Sequence, residues 1–368
     1  MKLIVIRDNL KEGLNVIGYS ISNNLPILSN FFIEAEDNKI KFISTNLETA
    51  IIYETQCKVI EKGKVVIPFS KFYDLINNLA SEERINLEKK QKKVEISAGS
   101  YQAVMNIDNN VEDFPVIPQI KNKNYIEINS LLIKDILNKL IISASGQNLR
   151  PELETILFNI NNENFKLVST DSFRLTEKTL LPSVYQNSNK EDIKCLIPLK
   201  TAQILTSIIG SKNESLKIYI DENQILFKSK NWELISRLIE NNYPDYSNII
   251  PKKFKTEISL NLNKILEALK LSSIFSNESF EVGLKIKNKN LEIYSSNQII
   301  GENKYILEAK VKGEEVDINF NWKYLLDGLK IFKDSEEIFI GINNFNQPAI
   351  IKSINDDSLF YLLMPIVK

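Results

Sequence analysis

One short segment of the sequence contains the residue types of a hydrolytic active site. The segment STDSFRL, residues 169–175, places the hydroxyls of Thr170 and Ser172 on either side of Asp171, with Arg174 close behind. A serine or threonine hydroxyl becomes a nucleophile only when a neighbouring general base takes its proton. The sequence contains no histidine, which excludes Ser-His-Asp and Cys-His systems and HExxH zinc sites. Carboxylate-based hydrolysis stays open, because Asp and Glu together number 47.

Composition limits the remaining classes of function. The 368 residues favour two or three domains. The net charge is −1, so any nucleic-acid binding must depend on a local excess of basic residues. The two cysteines are too few for a disulfide framework or a CxxC metal site. No GxxxxGK[ST] or GxGxxG motif occurs, and no cofactor is expected. The chain becomes charged after a short N-terminal apolar run and has no 18-residue apolar stretch, which predicts a cytoplasmic protein without a membrane segment.

Three copies of one pattern organise the chain. A phrase rich in β-branched residues ends in Ser44, Ser169 and Ser295, which are 125 and 126 residues apart. A strand followed by an amphipathic helix also recurs in each copy, as in VVIPFSKFYDLINNL and CLIPLKTAQILTSII. Phrases repeated in the same order predict homologous domains. The predicted domains are residues 1–124, 125–251 and 252–368.

Each repeat is predicted to contain two helices and several antiparallel strands. In SLLIKDILNKLIIS, for example, apolar residues recur at helical spacing, and Ser130 is expected to cap the helix. Partial apolar-polar alternation between the helices is typical of antiparallel strands with one exposed face. The predicted fold class is α+β, with helices on one side of antiparallel sheets in each of three tandem domains. The six predicted helices are 8–20, 70–81, 130–143, 199–213, 262–276 and 321–333.

Lysine is concentrated on these helices. They carry eleven lysines and six acidic residues, a net charge of +5, while the whole chain is −1. One interpretation is that solvated helix faces simply favour lysine. The other is that the helical side faces a polyanion, with phosphate contacts and no sequence preference. Recurrence of the lysines in every repeat favours the second interpretation.

The motifs together resemble one family, the bacterial sliding clamps, which are beta subunits of DNA polymerase III. The resemblance rests on the triplicated pattern, on STDSFRL, on YPDY at 243–246, on YLLMP at 361–365 and on the LPIL opening at 25–28, and it covers essentially the whole chain. It implies a closed ring of six domains, formed by a head-to-tail homodimer around duplex DNA, with helices lining the channel and sheets outside. It also implies a non-catalytic, nucleoid-associated processivity factor with DNA polymerase III alpha, clamp-loader subunits and other clamp-motif proteins as partners.

The resemblance further implies a cleft between the second and third domains that binds short peptide motifs. Apolar Leu, Pro and Met side chains suit such a cleft because they accept the apolar anchors of an extended peptide. Many family members have Gly-His where this chain has Ser172-Phe173, and a basic residue where it has Asn248. The tail Ile366-Val367-Lys368 also differs from the common Arg-Leu ending. The matching cleft positions are Leu153, Thr170, Ser172, Phe173, Arg174, Leu175, Pro244, Asn248, Ile249, Phe280, Asn321, Tyr324, Pro348, Leu362, Met364 and Pro365.

The same resemblance assigns residues to DNA and to the dimer seam. Gln147, Arg150 and Lys200 match positions that touch DNA in the family, and the polarity of the helices adds Lys134, Lys139, Lys264 and Lys270. At the seam, Ile274 and Phe275 match an apolar pair that faces Gln102 and Val104, and Lys71 is opposite Glu302. Phe is common in the family at the position of Gln102. Its absence here removes about 2 kcal/mol of apolar burial, which predicts a weaker dimer.

Two further interpretations stay open at this point. STDSFRL could be only a strand end and turn, because repeats one and three have the same phrase without Phe-Arg-Leu. The addition of Phe-Arg-Leu in the middle copy favours a binding surface. The function alternative is a three-domain interaction adaptor that does not encircle DNA, or a carboxylate-based hydrolase. Release from circular DNA when that DNA is linearised would separate a ring from either alternative.

Overall fold

The fold was analysed in a computed structural model that describes residues 1–79, 82–107, 111–144, 150–287 and 290–367. Every strand pairing in these ranges is antiparallel, so the chain has the α+β fold class that the sequence predicts. The α-helices of this part of the chain are α1 Arg7–Ile17, α2 Phe69–Asn78, α3 Ser130–Ala144, α4 Leu199–Ile208, α5 Leu262–Ser273 and α6 Trp322–Ile331.

The strands come in the order that the repeats predict, with helices after β1, β6, β10, β15, β19 and β24. They are β1 Lys2–Ile6, β2 Asn30–Glu36, β3 Lys39–Thr45, β4 Thr49–Gln56, β5 Lys58–Glu61, β6 Gly63–Pro68, β7 Arg84–Lys90, β8 Lys93–Ala98, β9 Tyr101–Asn106, β10 Ile126–Asn129, β11 Thr155–Ile160, β12 Phe165–Thr170, β13 Arg174–Leu180, β14 Tyr185–Asn187, β15 Ile193–Pro198, β16 Ser215–Ile220, β17 Gln224–Lys228, β18 Trp232–Arg237, β19 Thr256–Asn261, β20 Glu281–Lys287, β21 Asn290–Asn297, β22 Gly301–Glu308, β23 Lys310–Gly313, β24 Val316–Asn321, β25 Glu337–Ile342, β26 Ala349–Ser353 and β27 Leu359–Leu363.

The chain divides into two compact units. The first comprises residues 1–134, 185–189 and 203–238 and contains a five-stranded sheet, β5-β1-β7-β8-β9, and a nine-stranded sheet, β14-β10-β16-β17-β18-β4-β3-β2-β6. The second comprises residues 135–184, 190–202 and 239–368 and contains a nine-stranded sheet, β15-β11-β12-β13-β27-β26-β25-β19-β23, and a four-stranded sheet, β22-β21-β20-β24.

Both nine-stranded sheets join strands from two predicted repeats. In the first unit β18 pairs with β4, and in the second β13 pairs with β27. The compact units therefore divide the middle repeat, because hydrogen-bonded ladders continue across the repeat boundaries. The limits at 124/125 and 251/252 remain a prediction of where three homologous repeats begin and end.

The repeated serines make the same contact in each copy. The hydroxyl of Ser44 donates to the carbonyl oxygen of Ile17 at 2.6 Å, and that of Ser169 donates to Leu140 at 2.7 Å. Ser295 donates to the Ser272 carbonyl in the same way. All three carbonyls lie in the C-terminal part of a helix, α1, α3 or α5. The last carbonyl groups of a helix have no N–H partner within the helix and accept hydrogen bonds from elsewhere. The serine thus fastens a strand to the helix in every repeat.

Asparagine starts three of the helices. Asn261 accepts hydrogen bonds from two backbone N–H groups at the start of α5, and Asn321 does so for α6. Asn129 accepts from the first residues of α3 at 2.9 and 3.1 Å, so the predicted capping role of Ser130 is wrong by one residue. Ser130 instead receives the backbone N–H of Glu214. An asparagine in this position satisfies N–H groups that have no helical acceptor.

The six predicted helices are all present, and most are shorter than the periodicity indicates. α4 ends at Ile208 and α6 at Ile331, which leaves Lys212 and Lys333 outside them. With Arg7 included in α1, the helices carry ten basic and six acidic residues, a net charge of +4. The excess of positive charge predicted from the sequence is therefore confirmed in sign. Among the described residues, no helix is long and apolar enough to cross a membrane.

Candidate functional site

The hydroxyl and carboxyl groups of STDSFRL are used to build a turn. Thr170 donates its hydroxyl to the carbonyl oxygen of Arg174 at 2.7 Å and accepts the backbone N–H of Ser172. One carboxylate oxygen of Asp171 accepts the backbone N–H groups of Phe173 and Arg174, both at 3.0 Å. Ser172 has a φ of 78°, a left-handed conformation that the turn requires. Both oxygens of the Asp171 carboxylate accept hydrogen bonds from N–H groups, and the Thr170 hydroxyl donates to a backbone carbonyl, so the segment is not arranged as a nucleophile and its general base.

The first repeat has the same turn without the additions. Thr45 donates to the Thr49 carbonyl at 2.8 Å, Asn46 accepts the Thr49 N–H, and Leu47 has a φ of 76°. A turn that is repeated with Asn in place of Asp and Leu in place of Ser serves the fold. What differs in the middle copy is the side chains that follow it, Phe173 and Arg174.

Arg174 is held between two carboxylates. Its Nε donates to Asp171 at 2.8 Å and its Nη1 donates to Asp327 of α6 at 2.8 Å, although the side chain is only 5% exposed. Burial alone would lower the pKa of Arg174, but the hydrogen bonds to Asp171 and Asp327 outweigh burial and raise it. The guanidinium lies over the ring of Tyr324, 4.3 Å from its centre. Arg174 therefore fixes the turn to α6 rather than facing a ligand.

Aromatic rings lie around this buried arginine and remain open to solvent. Phe173 is 59% exposed and its ring is 6.4 Å from that of Tyr324, at an interplanar angle of 30°. On the same helix the ammonium of Lys323 lies 3.4 Å from the ring centre of Phe280. Phe280 adopts a φ of 56°, and its carbonyl accepts the backbone N–H of Trp322. The result is an exposed aromatic surface with one cation at its edge.

A leucine cluster supports the surface from below. Leu175 and Leu362 are opposite each other on β13 and β27, and both are buried with Leu157, Val168, Leu196, Tyr243 and Ile350. Tyr243 and Tyr246 come from the segment that joins the second and third repeats, and both pack on this cluster. Leu175 and Leu362 thus form the floor of the predicted cleft. Leu153 is buried as well.

The C-terminal tail is hydrogen-bonded to the turn that carries Phe173. The backbone N–H of Met364 donates to the carbonyl of Phe173 at 2.8 Å, and that of Ile366 donates to Asn319 at 2.8 Å. Met364 is partly exposed beside Phe173, whereas Pro365 is buried. The two most separated predicted segments, STDSFRL and YLLMP, therefore meet through one ladder and one further hydrogen bond.

The other predicted cleft positions have mixed roles. Pro244 is partly exposed, and Ile249 and Asn248 are exposed on the segment that carries Tyr243 and Tyr246. The Asn248 amide donates to Asp245 at 2.9 Å. Asn321 is the cap of α6, so its amide oxygen is occupied by the helix, and Pro348 is buried beside the start of β26.

The residues predicted to contact DNA differ in how free their charges are. Lys200, Lys264 and Lys270 are exposed on α4 and α5. Lys134 donates to the Ile209 carbonyl just beyond α4, and Lys139 is paired with Asp135 at 2.7 Å. Arg150 pairs with Glu152 at 2.9 Å, while Gln147 lies outside the described residues. The ammonium groups of Lys134 and Lys139 therefore make contacts within the chain. The polarity of the helices alone had suggested that both were available to DNA.

Three of the residues predicted for the seam lie at open sheet edges. Gln102 and Val104 lie on β9, the edge strand of the five-stranded sheet, and Lys71 is exposed on α2. In the other unit, Glu302 lies on β22, the edge strand of the four-stranded sheet. Ile274 and Phe275 follow the end of α5. Val104 and Ile274 are 58% and 61% exposed, an unusual exposure for apolar side chains at such edges.

Comparison with known proteins decides what this arrangement belongs to. Models of the N-terminal, central and C-terminal domains of the DNA polymerase III beta subunit match residues 1–118, 127–245 and 247–367. The chain belongs to the DNA polymerase III beta subunit family. The Beta sliding clamp of Bacillus subtilis is 27% identical over 384 residues, covering 100% of this chain and 99% of that protein. The Beta sliding clamp of Staphylococcus epidermidis is also 27% identical, over 381 residues with the same coverage.

Solved structures of beta subunits have the same fold. The crystal structure of the Bacillus subtilis sliding clamp superimposes with a TM-score of 0.94 at 26% identity, covering 100% of this chain and 99% of that one. The beta subunit of Streptococcus pyogenes also gives 0.94, at 22% identity and with both chains fully covered. The three-domain α+β fold predicted from the sequence is thereby confirmed, as is the predicted family.

Membership of the beta subunit family settles the question of catalysis. The beta subunit is a non-catalytic processivity component of the polymerase, so this sliding clamp is not an enzyme. The use of Thr170 and Asp171 in the turn agrees with this assignment. No group of three or more His, Cys, Asp or Glu side chains that could hold a metal ion occurs in the part of the chain that the structure describes.

Sequence reasoning missed several side chains of this beta subunit that complete the site. Asp327, Tyr361 and Lys323 each contact a predicted cleft residue or its neighbour, and none was assigned a role there. The hydroxyl of Tyr361 donates to the Tyr324 carbonyl at 2.8 Å. Spacing could have indicated the Asp171–Arg174 pair, which is three residues apart. Asp327 is 153 residues from Arg174, and no local pattern connects them.

Proposed function

We propose that this beta subunit encircles duplex DNA as a head-to-tail homodimer and tethers partner proteins through the cleft around Phe173. The observation that carries the proposal is the continuous ladder of β13 and β27, because it brings Phe173 and Met364 together beside α6. The surface it builds has the exposed aromatic and Met side chains that bind extended peptides. The match of the chain to all three domains of the DNA polymerase III beta subunit supports a role for that surface in binding replication proteins.

The cleft holds a linear motif with apolar anchors. Phe173, Tyr324 and Phe280 offer ring faces, Met364 adapts to the shape of the ligand, and Lys323 places a cation at the edge. The buried ion pairs of Arg174 keep the rings in place before the peptide arrives. A preformed surface loses little conformational entropy on binding. The partners are the alpha subunit of DNA polymerase III, the clamp-loader subunits and other proteins with clamp motifs.

DNA is held without sequence preference. Lys200, Lys264 and Lys270 offer exposed ammonium groups for phosphates, with Arg150 as a further cation. A ring retains DNA by its topology, so a few diffuse contacts suffice and the duplex can slide. A net charge of −1 for the whole chain is compatible with this mechanism.

The seam joins the open edges of the two sheets from different subunits. β9 of one protomer would pair with β22 of the other, with Ile274 and Phe275 covering Val104 and with Lys71 near Glu302. Two different edges give a heterologous, head-to-tail contact, which forms a ring when it closes. We place the three domains at residues 1–124, 125–251 and 252–368, and the ring in the cytoplasm with the nucleoid. The family matches, which change near residues 118–127 and 245–247, support those limits.

Retention on circular DNA tests the ring. The purified chain is loaded by a clamp loader on nicked circular plasmid, isolated by gel filtration, and divided into two samples, one of which is cut with a single-site nuclease. We expect the uncut sample to keep the protein and the linear sample to lose it within minutes. Retention on linear DNA would overturn the ring and leave the alternative, an interaction adaptor that does not encircle DNA. A nuclease-treated plasmid that lacks the cleavage site is the control.

A further inference from the structure

A second apolar groove lies in the first compact unit, on the face of its nine-stranded sheet. The cavity has a volume of about 700 Å³ and is bounded on one side by residues 114–120, which join the first and second repeats. Its floor consists of Phe32, Ile43, Leu226 and Ile235. None of these residues belongs to the peptide cleft, to the proposed DNA contacts or to the seam.

The floor of this groove repeats the leucine cluster under the peptide cleft, position by position. Phe32 is opposite Ile43 on β2 and β3, as Leu157 is opposite Val168 on β11 and β12. Leu226 is opposite Ile235 on β17 and β18, as Ile350 is opposite Leu362 on β26 and β27. Ile235 is opposite Ala50, as Leu362 is opposite Leu175. The two surfaces are therefore equivalent parts of the two nine-stranded sheets.

The chain itself shows what covers such a surface. In the second unit, the extended segment YPDY places Tyr243 and Tyr246 on the leucine cluster, with Tyr243 buried. In the first unit, the equivalent segment FPVIP places Phe114 on the floor, 5.6 Å from the ring of Phe32. Ile117, which corresponds to Tyr246, is partly exposed and lines the groove, whereas Val116, which corresponds to Asp245, is 93% exposed. Isoleucine is smaller than tyrosine, so the side chain at this position covers less of the floor in the first unit, and the cavity lies beside it.

The charged residues around the groove are already paired. Lys64 contacts Glu34 at 2.9 Å, Lys228 contacts Glu233 at 2.6 Å, and Lys41 contacts Glu54. Three lysines paired in this way offer no excess of positive charge to a phosphate backbone. Charge complementarity therefore points to an uncharged apolar ligand and away from nucleic acid.

We propose that this groove is a second docking site, which binds an extended segment of a partner protein carrying an aromatic residue. The aromatic ring enters the cavity beside Phe114 and Ile117 and lies on Ile43 and Leu226. Such a site is independent of the cleft around Phe173. A ring with both sites would hold two partners on one subunit at the same time.

The probe is a synthetic peptide with the sequence of residues 241–250, NNYPDYSNII, in which the second tyrosine is replaced by benzoylphenylalanine. The full-length chain is irradiated with this peptide, and the labelled residues are located by mass spectrometry. We expect labelling on β2, β3 and β17, and a reduction of at least about tenfold in Leu226→Arg. A control peptide with the same residues in scrambled order, which keeps the benzoylphenylalanine, should label the groove at least about tenfold less.

Three variants make the result decisive. Ile43→Lys changes a different strand of the same floor, so it repeats the test if Leu226→Arg does not fold, and thermal unfolding identifies which variants are folded. Ile354→Arg, at an exposed apolar residue outside the groove, is the matched control and should label like the original chain. Equal groove labelling in folded Leu226→Arg, labelling confined to the cluster around Leu362, or no groove labelling above that of the scrambled peptide would each overturn the proposal.

Discussion

The guanidinium of Arg174 lies 4.3 Å from the centre of the Tyr324 ring, while two carboxylates hold its nitrogens at 2.8 Å. Arg174 belongs to the turn after β12 and Tyr324 to α6, so this contact joins two segments of the proposed cleft. The arginine is buried and the neighbouring ring of Phe173 is exposed. Stability and peptide binding are therefore assigned to different residues of one small site.

Removing Arg174 should destabilise the fold strongly. Arg174→Ala leaves Asp171, which is 4% exposed, as a buried carboxylate without its arginine, and we expect a loss of about 3–5 kcal/mol in the free energy of unfolding. Lys62 forms an exposed ion pair with Glu36 and Asp37, so Lys62→Ala should change the free energy of unfolding little. Denaturant titration followed by circular dichroism measures both. If Arg174→Ala lost as little free energy of unfolding as the control, the stabilising role of the Arg174 ion pairs would be contradicted.

Phe173 should affect binding without affecting stability. The ring is exposed and stacks on Tyr324, so Phe173→Ala should weaken the binding of a clamp-motif peptide about tenfold, or by ~1.4 kcal/mol of binding free energy. The unfolding temperature should stay unchanged, since the side chain buries little area. Fluorescence anisotropy of a labelled peptide gives the dissociation constant. Tyr19→Ala removes another exposed aromatic residue outside the cleft and should bind the peptide normally; equal weakening in both variants would argue against a specific role for Phe173.

Helix α6 should tolerate no side chain at position 328. A Cβ at Gly328 would lie 2.3 Å from the ring of Tyr361, whose hydroxyl donates to the Tyr324 carbonyl. We expect Gly328→Ala to cost about 1–3 kcal/mol by overpacking and to weaken peptide binding as well, because it displaces the ring under Tyr324. Gly210→Ala is the matched control, since its Cβ would meet nothing within 4 Å. Calorimetry of both variants would reveal the difference, and equal unfolding temperatures would contradict the close contact.

The sequence was sufficient for the order of elements because each repeat carries its own local signals. Ser44, Ser169 and Ser295 recur at one spacing, and each makes the same contact with a helix. It was not sufficient to determine which side chains reach the surface. Alternation places Leu362 of β27 and Met364, just beyond β27, on the same side, but the segment that joins the second and third repeats covers only Leu362. Burial of this kind depends on a distant segment, as does the pairing of Arg174 with Asp327.

The seam should depend on apolar residues at one edge of the five-stranded sheet and not at the other. Val104 on β9 and Ile60 on β5 are exposed to similar degrees, 58% and 50%, on opposite edges of that sheet. Val104→Asp would place a charge against Ile274 of the second subunit and should raise the dimer dissociation constant at least about tenfold. Ile60→Asp should leave it unchanged. Equilibrium sedimentation measures both constants, and dissociation of the Ile60 variant alone would place the seam at the wrong edge.

The two thiols should resist alkylation at neutral pH. Burial raises the pKa of Cys57 to about 11 and that of Cys195 to about 12. Because the thiolate is the reactive form, both cysteines stay protonated and slow to react at pH 7. As the pH rises towards 10, Cys57 should react first, since it is partly exposed and Cys195 is buried. Mass spectrometry after timed iodoacetamide treatment, with Cys57→Ser as the control that removes the first adduct, measures the order. Rapid labelling of Cys195 in the folded protein at pH 7 would show that β15 opens more easily than its burial indicates.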